Sequence, residues 1–133
     1  MCESIFTHLL KKEKIGDISV YSLGTSSEEL GNPVHRGTRE ALAKHGIKTV
    51  DHRADVLTRR DLNEYDLFVC MDSQNVRSCA RILGDSAKVV KLTEFLGRND
   101  DVADPWYTGN FEATFEDCYA GCVALLEYLK ERR

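Results

Sequence analysis

The sequence predicts an α/β fold: an open parallel sheet with helices on both faces. Stretches rich in β-forming residues alternate along the chain with stretches of helical periodicity. Residues 67–71 form a continuous apolar run, which is typical of a parallel strand buried on both faces. Strands that alternate with helices form parallel sheets, whose binding sites lie beyond the carboxyl ends of the strands.

Length and composition are those of one globular domain. The chain has 133 residues, of which 42% are hydrophobic and 30% are charged. No apolar run approaches the roughly 20 residues that span a membrane, and residues 1–6 lack the basic start of a signal peptide. The net charge of −4 disfavours a nucleic-acid partner, which requires a basic face. We therefore expect a cytoplasmic protein with no membrane and no nucleic-acid partner.

Five cysteines also favour a reducing, cytoplasmic compartment, because an odd number cannot pair completely. Cys118 and Cys122 have helical spacing, but the sequence offers no second ligand pair that would complete a zinc site. The four histidines are scattered. We expect neither a metal nor another cofactor.

The first half of the chain is predicted to contain three helices and two strands. In order, these are a helix over 1–14, a strand over 18–23, a helix that begins at Asn32-Pro33 and ends at Gly46, a strand over 47–50, and a short helix over 59–64. Pro33 suits the first helical turn, and Gly46 after a basic turn is a helix stop. Thr58 and Asp61 frame the short helix.

The second half is predicted to contain the apolar strand 67–71 and the longest helix of the chain. Between them lie a helix that Ser73 caps and that ends at Leu83, a strand over 87–92, and a helical turn over 93–96. The longest helix covers 111–130. Its predicted apolar face consists of Phe111, Phe115, Tyr119, Cys122, Leu126 and Leu129.

The loop after residue 96 carries the most informative residues. Asp100, Asp101 and Asp104 lead into Pro105, which pushes Asp104 toward an extended conformation. A carboxylate held beside two aromatic rings on a loop is a candidate general acid next to a flat substrate. The alternative is a surface turn whose aromatic rings cover an edge of the core.

Six motifs occur in a fixed order along the chain. They are Ser22-Leu23-Gly24-Thr25-Ser26, Glu29-Leu30-Gly31-Asn32-Pro33, His45-Gly46-Ile47, Asp51-His52-Arg53-Ala54, Tyr65-Asp66-Leu67-Phe68-Val69-Cys70-Met71-Asp72 with Asn75, and Asp104-Pro105-Trp106-Tyr107-Thr108-Gly109. Their order and spacing resemble those of the low-molecular-weight protein tyrosine phosphatases, from residue 1 to about residue 129. The resemblance implies a phosphotyrosine phosphatase I-like fold in one domain over 1–133. It also implies hydrolysis of phosphotyrosine proteins or small aryl phosphates through a cysteinyl-phosphate intermediate.

The resemblance also assigns roles to five residues. Asp104 matches the general acid, and Trp106 and Tyr107 match the aromatic wall that holds the phenyl ring. Ser22 and His52 match a buried polar pair that supports an asparagine of the phosphate loop. Core packing is the alternative for the two aromatic residues, and an ordinary loop histidine is the alternative for His52.

The nucleophile of the family has no counterpart in these residues. The resemblance places a buried central strand, ending in Cys-x5-Arg-Ser, immediately before the helix of residues 1–10. We therefore expect an N-terminally truncated member, inactive as given, that lacks the central strand, the nucleophilic cysteine and the phosphate-binding arginine. The alternative is a non-catalytic phosphatase-like protein that acts by binding.

A second cysteine-to-arginine segment, from Cys70 to Arg77, follows the apolar strand. Six residues rather than five separate the two, and Asp72 would bring a carboxylate into a nest built for an anion. We predict that this segment is not a phosphate loop. Cys70 and Cys79 leave open a thiol redox function like that of the related arsenate reductases, although their spacing and the Asp-Pro-Trp-Tyr loop favour the phosphatase.

Overall fold

The computed structural model describes residues 1–24, 36–50, 55–103 and 108–132. Its helices and strands are α1 (Cys2–Lys12), α2 (Arg36–Lys44), β1 (Phe68–Cys70), α3 (Ser73–Leu83), β2 (Val89–Lys91) and α4 (Phe111–Glu131). Two 3₁₀ helices span Arg59–Asn63 and Leu92–Leu96. None of the helices in these ranges is long and apolar enough to cross a membrane.

Strands β1 and β2 form a parallel pair that α3 connects. Phe68 lies opposite Val89, and Cys70 lies opposite Lys91. Side chains of a strand alternate between the two faces of the sheet. Phe68 and Cys70 accordingly belong to one core cluster, whereas Val69 packs against the other. This arrangement confirms the predicted parallel α/β architecture.

Helices cover both faces of this small sheet. On one face, α1 and α4 build the larger core, with Ile5, Phe115 and Leu126 almost completely buried. On the other face, Cys79 and Leu83 of α3 pack with the β1 side chains. Burial of two separate apolar surfaces against one sheet is what fixes the layered architecture.

The helices agree closely with the periodicity of the sequence. Helix α1 begins one residue after the predicted start, and α4 ends one residue beyond the predicted end. Helix α2 ends at Lys44 and is followed by Gly46 with φ of +71°, while its predicted start at Asn32-Pro33 lies outside the described residues. The predicted short helix is the 3₁₀ helix Arg59–Asn63, where the amide of Thr58 donates to the Asp61 carboxylate at 2.8 Å.

The buried face of α4 is rotated from the predicted one. Phe115, Cys122 and Leu126 are buried as expected, but Phe111, Tyr119 and Leu129 are only half-buried. The remaining buried positions of the helix are Thr114, Cys118, Gly121 and Leu125. Three of these, Thr114, Cys118 and Gly121, are small or polar residues, which a count of large apolar side chains does not detect.

Two predicted strands, 18–23 and 47–50, are wrong in the described part of the chain. Neither segment forms a ladder of hydrogen bonds with a neighbour, and a strand is stable only when such a neighbour exists. Next to the first segment, Gly24 makes a single parallel bridge to Val56. In the second segment, the amide of Val50 donates instead to the hydroxyl oxygen of Ser4 at 3.0 Å.

The predicted cap of α3 is also wrong by one residue. The cap is Asp72, whose carboxylate accepts a hydrogen bond from the amide of Asn75 at 2.7 Å. Ser73 is the first residue of the helix, and its hydroxyl donates to Asp101 at 3.0 Å. The serine therefore ties the helix to a distant loop rather than to its own amides.

Candidate active site at the carboxyl edge of the sheet

The segment that leads into Asp104 lies at the carboxyl edge of the sheet. Directly after β1, the carbonyl of Met71 accepts a hydrogen bond from the amide of Val102 at 2.9 Å. Val102 is 5% exposed and belongs to the larger core. The chain is therefore anchored at the edge two residues before Asp104, where parallel α/β sheets place their sites.

Lys91, the last residue of β2, binds this segment through its side-chain ammonium group. Its side chain is only 11% exposed, and its ammonium group donates to three acceptors. These are the Asn99 carbonyl at 2.6 Å, the Asp101 carboxylate at 3.0 Å and the Ser73 hydroxyl at 3.2 Å. A buried ammonium requires such partners, because taking it out of water unpaired is costly.

Two buried threonines hold the next carbonyl groups of the segment. The Thr93 hydroxyl donates to the Asp100 carbonyl at 2.6 Å, and Thr93 is completely buried. The Thr114 hydroxyl, on the first turns of α4, donates to the Ala103 carbonyl at 2.8 Å. We call residues 98–107, which contain the predicted general acid Asp104, the acid loop, and we call Lys91, Thr93 and Thr114 the acid-loop brace. Together they engage the carbonyl oxygens of three residues within 99–103.

Asp101 is the carboxylate that binds Lys91 of the brace. Its carboxylate accepts from the Lys91 ammonium and also from the amide and the hydroxyl of Ser73, each at 3.0 Å. The hydrogen bond from Lys91, followed by those from Ser73, lowers the pKa of Asp101 below its usual value. Asp101 is consequently an ionised, structural carboxylate and not a proton donor at neutral pH.

Arg98 fixes the start of the same segment on α4. Its guanidinium makes two hydrogen bonds to Asp100, at 2.8 and 2.7 Å, and two to Asp117, at 2.9 and 3.4 Å. The bonds to Asp100 and then to Asp117 raise the pKa of Arg98, and the same guanidinium lowers the pKa of Asp100. Bidentate pairs of this kind define direction as well as distance.

The chain beyond the acid loop is anchored on α4 as well. Asn110 caps the helix, since its side-chain oxygen accepts from the Ala113 amide at 3.0 Å. The Asn110 amide itself donates to the Thr108 hydroxyl at 3.1 Å, and Gly109 between them has φ of +71°. Both flanks of residues 104–107 are thus fixed by contacts with the same helix.

Of the five predicted site residues, the structure describes one. Ser22 is half-buried and lies two residues before the bridge between Gly24 and Val56. Asp104, Trp106 and Tyr107 lie outside the described residues, and so does His52. Their assigned roles stay predictions.

The segment from Cys70 to Arg77 has the properties of a structural element. Cys70 is 5% exposed, and its Sγ lies 3.5 Å from that of Cys79. The hydrogen bond with Cys79, together with burial, raises the pKa of the Cys70 thiol, so the nucleophilic thiolate is disfavoured. In the first turn of α3, the Asn75 amide already donates to the Asp72 carboxylate, and the Ser73 amide donates to the Asp101 carboxylate. These contacts agree with the prediction that this segment is not a phosphate loop.

The brace residues were not found by sequence reasoning. A lysine at the end of an apolar strand ordinarily reaches into solvent, and only its position next to 99–103 in space reveals a buried role. A threonine within a helix likewise has no distinguishing sequence signal. Its partner at residue 103 becomes visible only once the loop and the helix are in place.

Comparisons with known proteins identify the family of this chain. The family model for low molecular weight phosphotyrosine protein phosphatase matches residues 1–133. The chain is 33% identical over 138 residues to low molecular weight protein-tyrosine-phosphatase YfkJ of Bacillus subtilis (strain 168), a match that covers 100% of this chain and 88% of that protein. It is 36% identical over 131 residues to low molecular weight protein-tyrosine-phosphatase PtpA of Staphylococcus aureus (strain Newman), covering 97% and 84%.

Solved structures give the same result. The fold superposes on the crystal structure of YfkJ from Bacillus subtilis with a TM-score of 0.93 and 31% identity, over 99% of this chain and 86% of that one. It superposes on DARP, the drosophila arginine phosphatase, with a TM-score of 0.85 and 27% identity, over 97% and 88%. The chain belongs to the low molecular weight phosphotyrosine protein phosphatase family.

Proposed function

We propose that this chain provides the general acid and the aryl-binding wall of a protein tyrosine phosphatase site. The observation that carries the proposal is the fixed position of residues 98–103 at the carboxyl edge of the sheet. Asp104 follows this segment directly, and a general acid must be held within hydrogen-bond reach of the atom that it protonates. Family membership and the Asp104-Pro105-Trp106-Tyr107 motif point to the same role.

Hydrolysis of an aryl phosphate expels a phenolate, which leaves more easily when it receives a proton. In the proposed mechanism the carboxyl of Asp104 donates that proton to the bridging oxygen. A carboxyl group near a phosphate dianion holds its proton more strongly, because a like charge disfavours ionisation. Asp101 cannot take this part, since its hydrogen bonds with Lys91 and Ser73 keep it ionised.

The aromatic residues define the proposed substrate class. Trp106 and Tyr107 would contact the two faces of the substrate phenyl ring, an arrangement that aromatic rings favour. Ser22 and His52 would support the phosphate-binding loop by hydrogen bonds. Phosphotyrosine proteins and small aryl phosphates are the proposed substrates.

The nucleophile would have to come from a Cys-x5-Arg loop, and the 133 residues contain none. We therefore propose that the chain as given does not hydrolyse phosphate esters by itself. Burial and the raised pKa of Cys70 argue against Cys70 as a substitute nucleophile. The residues that precede α1 in the proposed enzyme would supply the thiolate and the arginine.

Fusion of a strand and a Cys-x5-Arg-Ser loop to residue 1 tests this proposal. The given chain should not release nitrophenol from p-nitrophenyl phosphate, whereas the fused chain should. Asp104→Asn in the fused chain should lower kcat by about 100-fold or more, because general acid catalysis is worth roughly that factor. Circular dichroism would establish that each protein is folded.

The matched control is the fused chain with its added cysteine changed to serine, which should be inactive. A folded fused chain without turnover would favour the non-catalytic alternative, in which the protein only binds. Turnover by the given chain that survives Asp104→Asn would overturn the proposal. Phosphoarginine is the comparison substrate, because DARP is named as an arginine phosphatase. Faster hydrolysis of phosphoarginine than of phosphotyrosine would contradict the aryl preference.

A further inference from the structure

The acid-loop brace determines where the backbone stands when it reaches Asp104. Ala103 is the last residue described before Asp104, and its carbonyl accepts the Thr114 hydroxyl at 2.8 Å. The orientation of that carbonyl and the orientation of the next amide belong to one rigid peptide plane. Thr114 therefore orients the peptide plane that follows Ala103.

The Ala103 carbonyl is the better placed of two acceptors for the Thr114 hydroxyl. The second acceptor, the carbonyl of Asn110, lies farther away at 3.3 Å, and a hydroxyl has one hydrogen to donate. Thr114 is 5% exposed, so water cannot readily replace the threonine as donor to the Ala103 carbonyl. Removal of the hydroxyl would leave that carbonyl without its partner.

Lys91 controls the same segment from the other side. Its ammonium joins the Asn99 carbonyl, the Asp101 carboxylate and Ser73 at the start of α3. Together with the hydrogen bond from Thr114 on α4, these contacts connect the segment to β2, α3 and α4. Rotation of residues 99–103 about their long axis would break contacts to all three elements together.

We propose that Thr114 and Lys91 are positioning residues for the general acid: they hold the backbone of 99–103 and so set where the Asp104 residue begins. The inference rests on the proposed function of Asp104. Misplacement of a catalytic group by about 1 Å can cost about 100-fold in rate. These two side chains act through the backbone of residues 99–103.

Fluorescence of Trp106 tests this positioning role without any residues added to the chain. Trp106 is the sole tryptophan and lies two residues after Asp104, so its fluorescence reports on the acid loop alone. Thr114→Val removes the hydroxyl and keeps the shape of the side chain, whereas Thr114→Ser keeps the hydroxyl. We expect Thr114→Val to lower the fluorescence anisotropy of Trp106 and to raise its quenching by acrylamide, and Thr114→Ser to restore the wild-type values.

Ser4→Ala is the matched control. It also removes one buried hydroxyl hydrogen bond, the one that Val50 donates to Ser4, but it leaves the brace intact. It should lower the denaturation midpoint without changing the Trp106 signal. Lys91→Met tests the brace from β2 and should change the signal in the same direction as Thr114→Val, so the inference remains testable when one variant does not fold.

An unchanged Trp106 signal in folded Thr114→Val would overturn the inference for Thr114, and the same result in Lys91→Met would overturn it for Lys91. An equal change in Ser4→Ala would show a general loosening and would overturn both. None of these readouts requires catalysis. Failure of the proposed function would appear as a fused chain without turnover, which is a separate result from loss of loop order.

Discussion

Gly121 and Leu92 pack so closely that a Cβ atom at position 121 would lie 2.5 Å from Cγ of Leu92. Leu92 is 1% exposed and sits in the larger core, so its side chain has no room to move. This contact sets the distance between α4 and the 3₁₀ helix Leu92–Leu96, which leads into the acid loop. Only glycine permits that approach.

Gly121→Ala is therefore expected to destabilise the protein. Alanine in a helix gains about 0.5–1 kcal/mol over glycine, but overpacking of a rigid core costs about 1–3 kcal/mol. The packing cost should prevail, and the free energy of unfolding should fall by about 1 kcal/mol in urea denaturation. Gly16→Ala is the control, because an added Cβ there meets nothing within 4 Å. Equal stability of Gly121→Ala and wild type would contradict the packing argument.

Loss of the α3 cap should have a defined cost. Asp72→Ala removes the acceptor of the Asn75 amide, and loss of an N-cap typically lowers stability by about 1 kcal/mol. Asp72→Asn keeps an acceptor and should recover most of that loss. Thermal or urea unfolding measures the difference. Gln74→Ala, an exposed change in the same helix, is the control and should be close to neutral.

The brace should make stability depend on acid pH. Lys91 lowers the pKa of Asp101 in the folded chain, so folding is favoured when this carboxylate is ionised. The contribution is present above the unfolded pKa of about 3.9 and is lost as the pH falls through the lower pKa of the folded state. The melting temperature of wild type should fall more steeply below about pH 4 than that of Asp101→Asn. In a Lys91→Met background the two curves should become nearly parallel. A difference of equal size in that background would show that Lys91 is not the cause.

The thiols should differ in reactivity according to their burial. Cys2 is half-buried, whereas Cys70, Cys79, Cys118 and Cys122 are buried. Hydrogen bonds with Cys2, together with burial, raise the pKa of Cys118 and Cys122, which disfavours their reactive thiolates. Iodoacetamide should label Cys2 first in the native chain and all five cysteines in denaturant, as mass spectrometry of peptides would show. Labelling of Cys118 as fast as Cys2 would contradict this order.

The helices could be predicted because their signals are local. The period of α4, the glycine after α2 and the capping pair at Thr58 and Asp61 each lie within a few residues of the element that they define. The same reasoning failed for residues 18–23, since β-forming residues do not reveal whether a hydrogen-bonding neighbour is present. It also chose Ser73 over Asp72 as a cap, because both residue types suit that position.

The site residues are predicted from a sequence motif, whereas the brace is visible only in the three-dimensional structure. Asp104, Trp106, Tyr107 and His52 were identified by motif, and they lie outside the described residues. The brace could not be identified from sequence, because its hydrogen bonds join separate elements. Lys91 at the end of β2 donates to Ser73, the first residue of α3, and Thr114 on α4 donates to the carbonyl of Ala103.

Helix α4 is at once the central member of the larger core and the anchor of the acid loop, through Thr114 and Asp117. Both the order of the acid loop and the cooperative unfolding of the domain therefore depend on α4. A ligand that grips the anchored loop would protect α4 amides far from its own contacts against hydrogen exchange, and it would raise the melting temperature by linkage. Heat or denaturant that opens α4 would release the loop in the same step, so the domain would have no intermediate in which α4 is open and the loop is still held.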